Sequence, residues 1–315
     1  MLKNYNHNTV LLKESIESLN INPSGIYIDA TFGGGGHSKL ILSKLNNDGK
    51  LFSIDRDIES IKIASLIKDK RLHVIHSTFS LLKNYMKNYN LLGKINGIIL
   101  DLGVSSIQID DSTRGFSFKK DGPLDCRMDK NNGIPAFKWL YSASEKKICW
   151  VLKNFGNERF AKLIARKIFL QNKIKKITRT NELSKIIINS IPCWNKYKHP
   201  ARRTFQAIRI FINNELEELK IILKNSLLLL APYGRISIIS FHSLEDKIVK
   251  NFMIKYSQLP LFIKKLPLTE LEIKNNYKNI LKIKYLGKKK PSKKEISINY
   301  RSRSAILRSA EKLKI

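Results

Sequence analysis

Four consecutive glycines, Gly33 to Gly36, follow closely on a short β-branched run, Ile26-Tyr-Ile-Asp29, that ends in an acid. Glycines after a strand permit positive φ and let the backbone approach a ligand, and a helix beginning beyond them offers free N–H groups. This is the pattern of a nucleotide-type site. A P-loop is excluded because no Gly-Lys-Ser/Thr follows, and the dinucleotide fingerprint fails because Ser38 or Lys39 stands where its third glycine belongs. What remains is an acid before the loop, Asp29, and a second acid, Asp55, at the end of the next apolar run. S-adenosyl-L-methionine suits this set: it has no pyrophosphate to seat, a ribose diol for a carboxylate, and a cationic amino-acid tail. Ordinary turns with capping carboxylates would show the same residues, so the glycine cluster alone stays weak evidence.

The elements around these residues strengthen it. Residues 37–45 carry apolar side chains at 40, 41, 42 and 45 and read as a helix; Leu51–Ile54 reads as a strand ending at Asp55. Asp57 is placed to cap a helix with Ile58, Ile61, Ala64 and Ser65 on one face. Leu72–Ile75 forms a third strand running out near Phe79, and Gly97–Leu100 a fourth that stops at Asp101, fully apolar as a strand covered on both faces should be. Asp55, Phe79 and Asp101 then stand at the C-terminal ends of successive strands, the edge where such sheets bind ligands. The order predicts an α/β fold with a parallel, doubly wound, Rossmann-like sheet. The next comparable strand, Ile236–Ser240, comes far later than a helical crossover needs. The expectation is a discontinuous cofactor domain, residues 1–105 and 211–315, interrupted by a mostly helical insert at 106–210. A single long helix over 201–230, with Phe205, Ile208, Ile212, Leu216 and Leu219 on one face, returns the chain to the sheet.

Length and composition agree. A chain of 315 residues, 43% hydrophobic and 27% charged, has a globular make-up. Its longest apolar stretches fall short of the roughly 18–20 residues of a membrane span, and the first residues lack an apolar signal core, so a cytoplasmic protein without a membrane partner is expected. Cys126, Cys149 and Cys193 are widely spaced and match neither a disulfide framework nor a metal motif. His73 and His76 face opposite sides of a strand, so no metal is expected. The net charge is +32, with 44 Lys against 14 Arg, a skew that codon composition alone can produce. Its distribution is less easily dismissed: residues 1–105 carry 13 basic and 9 acidic side chains, 106–210 carry 23 and 8, and 211–315 carry 22 and 9. A polyanionic partner met by the later two thirds follows.

Eight segments together carry a specific resemblance: Asn8-Thr-Val-Leu-Leu12, Asp29-Ala-Thr-Phe-Gly-Gly-Gly-Gly-His-Ser38, Ile54-Asp-Arg-Asp57, Leu100-Asp-Leu-Gly-Val-Ser-Ser106, Arg114-Gly-Phe-Ser-Phe118, Asp121-Gly-Pro-Leu-Asp125, Arg203-Thr-Phe-Gln-Ala207 and Ser240-Phe-His-Ser-Leu-Glu-Asp246. Spread over nearly the whole chain, they resemble the MraW/RsmH family of S-adenosylmethionine-dependent N4-cytosine methyltransferases of 16S ribosomal RNA. The resemblance implies cofactor contacts at Gly35, Gly36, His37, Asp55, Phe79, Asp101 and Gln108, and 16S rRNA or the 30S subunit as partner. Two departures stand out. Asn299-Tyr-Arg-Ser-Arg-Ser304 has tyrosine where the family has proline, which predicts a looser turn, and Cys126 replaces a common methionine.

Methyl transfer from a sulfonium to cytosine N4 needs alignment above all, then an acceptor for the N4 proton. Asp101 is the first candidate acceptor and His242, after the fifth strand, the second, although a histidine there equally serves to hold the turn. Amino-methyltransferases often carry Asp/Asn/Ser-Pro-Pro-aromatic where this chain has Asp101-Leu-Gly-Val104. The aromatic against the target base must then come from Phe116, Phe118 or Phe241, each of which could equally be packing. Arg202, Arg203 and Arg209, with Phe205 beside them, and Lys288–Lys290, Lys293, Lys294, Arg301 and Arg303 are candidate phosphate contacts. A DNA amino-methyltransferase, disfavoured by the missing Pro-Pro, and a catalytically silent RNA-binding or assembly factor are the competing readings.

Overall fold

The computed structural model describes residues 9–192, 199–259, 272 and 281–314; Asn8 and Cys193 lie outside the described residues. The chain divides into two compact units, one of Met1–Gly103 with Leu216–Ile315 and one of Val104–Glu215.

The first unit is built on a seven-stranded sheet: β1 (Ile26–Asp29), β2 (Lys50–Asp55), β3 (Leu72–His76), β4 (Ile95–Asp101), β5 (Leu230–Ser240), β6 (Ile283–Lys289) and β7 (Ile306–Lys312). The order is β3-β2-β1-β4-β5-β7-β6. Pairing is parallel from β3 through β5, as the sequence predicts, whereas β7 runs antiparallel to both its neighbours. This last pair was not anticipated. The lysine-rich stretch Lys282 to Lys294 begins with β6, an edge strand in which buried Ile283 and half-buried Tyr285 flank the exposed Lys284. Lysines on an edge discourage pairing with other chains, and they masked the strand's period.

Side chains alternate across the sheet. On one face Ile28, Phe52, Ile54, Ile98, Leu100, Ile236 and Ile238 pack with residues of α4 (Leu82–Asn88), α11 (Glu215–Leu229) and α12 (Ser243–Ser257). On the other, Tyr27, Leu51 and Ile99 meet α1 (Leu12–Leu19) and α2 (Gly36–Leu42). Helices on both faces explain why the centre of β4, residues 97–100, is apolar. In α3 (Ile58–Ser65) Asp57 caps as expected, its carboxylate accepting from Glu59 N–H at 3.1 Å. Of the face expected, Ala64 is buried and Ile58 and Ile61 are half-buried, but Ser65 is exposed and Ser60 is buried instead.

The second unit is helical: α5 (Ser106–Asp110), α6 (Ala136–Ser142), α7 (Glu145–Gly156), α8 (Ala161–Ile174), α9 (Thr180–Ile188) and α10 (Ala201–Ile212). Its own core includes Ile148, Val151, Leu152, Ile164, Ile168, Leu183, Phe205 and Ile208. The long helix expected over 201–230 is two. Asn214 adopts φ 51°, and Asn213 turns its amide away to accept from Met128 N–H at 2.8 Å and donate to the Cys126 carbonyl at 2.8 Å. These bonds replace helical continuity, and asparagine tolerates the left-handed region better than most residues.

Near the C-terminus the turn after α13 (Lys293–Ile298) is well held without proline: Asn299 Oδ1 accepts from Arg301 N–H at 3.1 Å, and buried Ser302 donates to the Asn299 carbonyl at 2.7 Å. The looseness expected from Tyr300 is not seen. Among the described residues no helix is long and apolar enough to cross a membrane.

Candidate active site

The sheet order reverses between β1 and β4, which opens a crevice at their C-terminal ends. Asp29 ends β1 and Asp101 ends β4. The glycine loop is stitched to strands on both sides of this crevice. Thr31 Oγ1 accepts from Asp101 N–H at 2.6 Å, Phe32 N–H donates to the Ile54 carbonyl at 3.0 Å, and Gly33 N–H donates to Asp55 Oδ2 at 2.8 Å. Asp55 Oδ1 accepts from Asp57 N–H at 2.8 Å, so each carboxylate oxygen is fixed by one backbone donor and keeps acceptor capacity.

Two of the glycines answer to the protein itself. Gly35 has φ 78°, and a Cβ there would come within 2.6 Å of the Phe32 ring; a Cβ on Gly36 would lie 1.9 Å from Thr9 Oγ1. The reason for these glycines is therefore close packing of the loop with its own chain. Thr9 and Thr31 lie in segments that carry the resemblance, but nothing in their spacing assigned either a contact of its own.

The electrostatics single out this corner. Asp29 is buried and accepts from Ser38 Oγ at 2.7 Å; burial pushes its carboxyl up to about 6, opposed by that bond and reinforced by the Asp55 charge. Burial also raises Asp55, against the hydrogen bonds from Asp57 and Gly33. Asp101 is raised well above the usual carboxylate range, first by burial and then by Asp29 and Glu245. Its Oδ2 lies 3.9 Å from Nδ1 of the buried His37, while its Oδ1 has no hydrogen-bond partner among the described residues. An excess of buried negative charge with an orphaned acceptor asks for a cationic, hydrogen-bond-donating ligand, and the sulfonium and ammonium of S-adenosylmethionine meet that demand.

Glu245 is the residue missed. Fully buried, it accepts from Phe241 N–H at 2.9 Å and His242 N–H at 3.3 Å through Oε2, while His242 Nδ1 accepts from Glu245 N–H at 3.4 Å. His242 Nε2 stands 2.9 Å from Glu245 Oε1. His242 is thus the N-cap of α12 in a reciprocal capping arrangement, and its ring nitrogens face Glu245. A polar residue followed three positions later by Glu is the signal that announces such a cap. Phe241 is half-buried beside Ile239 and Leu307, its ring 3.6 Å from where a Cβ on Gly103 would sit. Phe79 opens a short 3-10 turn over Phe79–Leu81 and packs at the margin of the core, with the following Ser80 N–H donated to Glu218 at 3.3 Å.

Several expected residues sit in the second unit. Gln108 is buried, and its Oε1 accepts from Ser105 N–H at 3.0 Å, closing a capping box on α5. Phe118 stacks on His199 at 4.6 Å and meets Phe205 edge-on at 5.9 Å, while Phe116 packs on the helical core with Arg114 over its ring. Both are half-buried against the helical core. Arg202 and Arg203 are exposed on α10, but Arg209 forms two bonds to Glu215, at 2.8 and 2.9 Å, and is removed from the candidate phosphate contacts. In the first unit, Arg301 is exposed and Arg303 lies over the Tyr300 ring at 4.6 Å.

Fold and sequence together define a Rossmann-like methyltransferase dependent on S-adenosylmethionine. More narrowly, the chain belongs to the MraW methylase family, whose model matches residues 4–313. Among solved structures it is similar to a Clostridium thermocellum protein described as a "putative rRNA-methylase", at 11% identity and TM-score 0.44 over 98% of this chain and 100% of that one. It is also similar to TrmN from Thermus thermophilus, at 9% identity and TM-score 0.42 over 96% of this chain and 48% of that one. An S-adenosylmethionine-dependent O-methyltransferase from Thermotoga maritima matches at 9% identity and TM-score 0.42, over 99% and 69%. The assignment rests on the family match.

Proposed function

We propose that this protein transfers a methyl group from S-adenosylmethionine to the exocyclic N4 of a cytidine in 16S ribosomal RNA. The observation that carries the reading is the acid-rich crevice at the β1/β4 switch, with the orphaned Asp101 Oδ1, in a chain of the MraW methylase family.

When bound, S-adenosylmethionine supplies an electrophilic methyl on a positively charged sulfur. The chain's own residues hold and orient. Asp55, fixed by Gly33 and Asp57, accepts from ribose hydroxyls; Gly35, Gly36 and His37 line the loop; Phe79 offers an apolar surface. Well-oriented reactants recover roughly 7–11 kcal/mol of a barrier, so this alignment is the larger contribution. Asp101 supplies the second. Cytosine N4 is a poor nucleophile because its lone pair is delocalised, and a carboxylate accepting one N–H helps it pyramidalise and then takes the proton. A positioned proton acceptor of this kind is worth ~10²–10⁴-fold in rate. His242 is engaged as the N-cap of α12.

The helical insert, residues 106–210, is read as the RNA-recognition element. Its 23 basic against 8 acidic residues and the exposed Arg202 and Arg203 support this, as Arg301 and Arg303 do for the C-terminal turn. An assembling ribosomal subunit as substrate implies work in the cytoplasm. The test is labelled methyl transfer to undermethylated 30S particles, naked 16S RNA and duplex DNA in parallel. Label recovered as N4-methylcytidine in RNA is the expected result; label in DNA, or none, overturns the reading.

A further inference from the structure

The exposed side of α7 carries a pattern that neither the fold nor the crevice requires. Lys146, Lys147, Trp150, Lys153, Asn154 and Asn157 are all exposed, and their spacing of three and four residues places them on one helix face. No acid lies in this stripe. At its centre Trp150 is 48% exposed, unusual for the largest apolar side chain. It is nonetheless held: its ring meets Phe155 edge-on at 5.4 Å and 83°, and Lys147 Nζ lies 4.7 Å from its centroid and 5.3 Å from that of Phe211. Asn154 Nδ2 donates to the Trp150 carbonyl at 2.8 Å, presenting the next polar group one turn on.

A supported aromatic plane flanked by three lysines is what unpaired nucleic acid needs: π-stacking for a base and cations for the phosphates on either side. The geometry points to this face of α7 as a docking surface for single-stranded RNA, with Trp150 as the stacking platform. The inference rests on the proposed RNA substrate and assigns part of its binding to a named surface. Stacking explains the exposed indole, which a purely electrostatic patch would not need. Phosphate contact explains the lysines, which a hydrophobic protein interface would exclude from its centre.

Binding of the full chain to an unstructured RNA of about 12 nucleotides, a duplex of the same length and inorganic polyphosphate tests this by fluorescence anisotropy, for wild type, Trp150→Ala and Trp150→Phe. Trp150→Ala should weaken single-stranded binding about tenfold or more, leave polyphosphate unchanged, and be largely rescued by Trp150→Phe. Unchanged single-stranded binding, an equal loss for polyphosphate, or an equal loss for duplex would overturn the proposal. So would retention of RNA binding with loss of association to protein-containing 30S particles, which would mark a protein partner. Methyl transfer by the same protein preparations is assayed on undermethylated 30S particles and naked 16S RNA: absence of N4-methylcytidine sinks the enzymatic reading, whereas active enzyme with an indifferent Trp150 sinks only this one.

Discussion

Asp101 Oδ2 stands 3.9 Å from His37 Nδ1, beyond hydrogen-bonding distance, at the point where the sheet changes direction. Burial first, and then the nearby Asp29 and Glu245, hold the Asp101 carboxyl well above the usual range, and a cationic ligand in the crevice would favour its charged form. Such a shift at a site, relieved on binding, is the structural sign of function rather than of stability.

Asp101→Asn removes a charge that folding disfavours. Thermal denaturation should show an unchanged or higher Tm for the variant without ligand, while methyl transfer falls about 10²-fold or more. Normal turnover at saturating S-adenosylmethionine would eliminate Asp101 as proton acceptor.

Asp29 gives a pH signature. Its carboxyl rises from 3.8 to about 6 on folding, so the native state holds a proton that the unfolded chain has released. The stability this contributes is complete below about 3.8 and is lost as pH climbs through about 6, a change on the order of 3 kcal/mol. Urea unfolding of wild type and Asp29→Asn between pH 4 and 7 should show the difference between them growing with pH, with the variant the flatter. Parallel curves would contradict this origin.

Gly36→Ala should be costly because its Cβ would meet Thr9 Oγ1 at 1.9 Å. Overpacking of this kind costs about 1–3 kcal/mol. Adding Thr9→Ala should recover part of the loss, and a double-mutant cycle with additive effects would show that the two residues do not collide.

Arginines on one helix should behave differently. Arg209→Ala leaves Glu215 unpaired at low exposure and should cost ~3 kcal/mol with little effect on the salt dependence of RNA binding. Arg202→Ala and Arg203→Ala should leave stability within about 0.5 kcal/mol and each reduce the salt slope by about 1. Affinity measured from low to moderate salt, beside denaturation, separates the two behaviours.

Much of the first unit was readable because its signals are local. β1, β2 and β4 are short apolar runs closed by Asp29, Asp55 and Asp101, and Asp57 announces the helix after it within two residues. Where competing signals overlapped, reading failed. Lysines hid the period of β6, and the unbroken apolar stripe of 201–230 concealed the turn at Asn213 and Asn214, which is set by bonds to residues 126 and 128.

The amino-acid sequence by itself determined the order of the first four strands, the glycine loop, the acids at the strand ends and the family, since each is written in neighbouring residues. Tertiary structure alone decided that Glu245 lies close enough to burden Asp101, that Arg209 is consumed by Glu215, and that Leu11 N–H finds Glu295 across 284 positions at 2.8 Å. Charge and hydrogen bonding act through distance in space, and the distance between remote residues is fixed only when the apolar faces of the sheet and its helices close on one another.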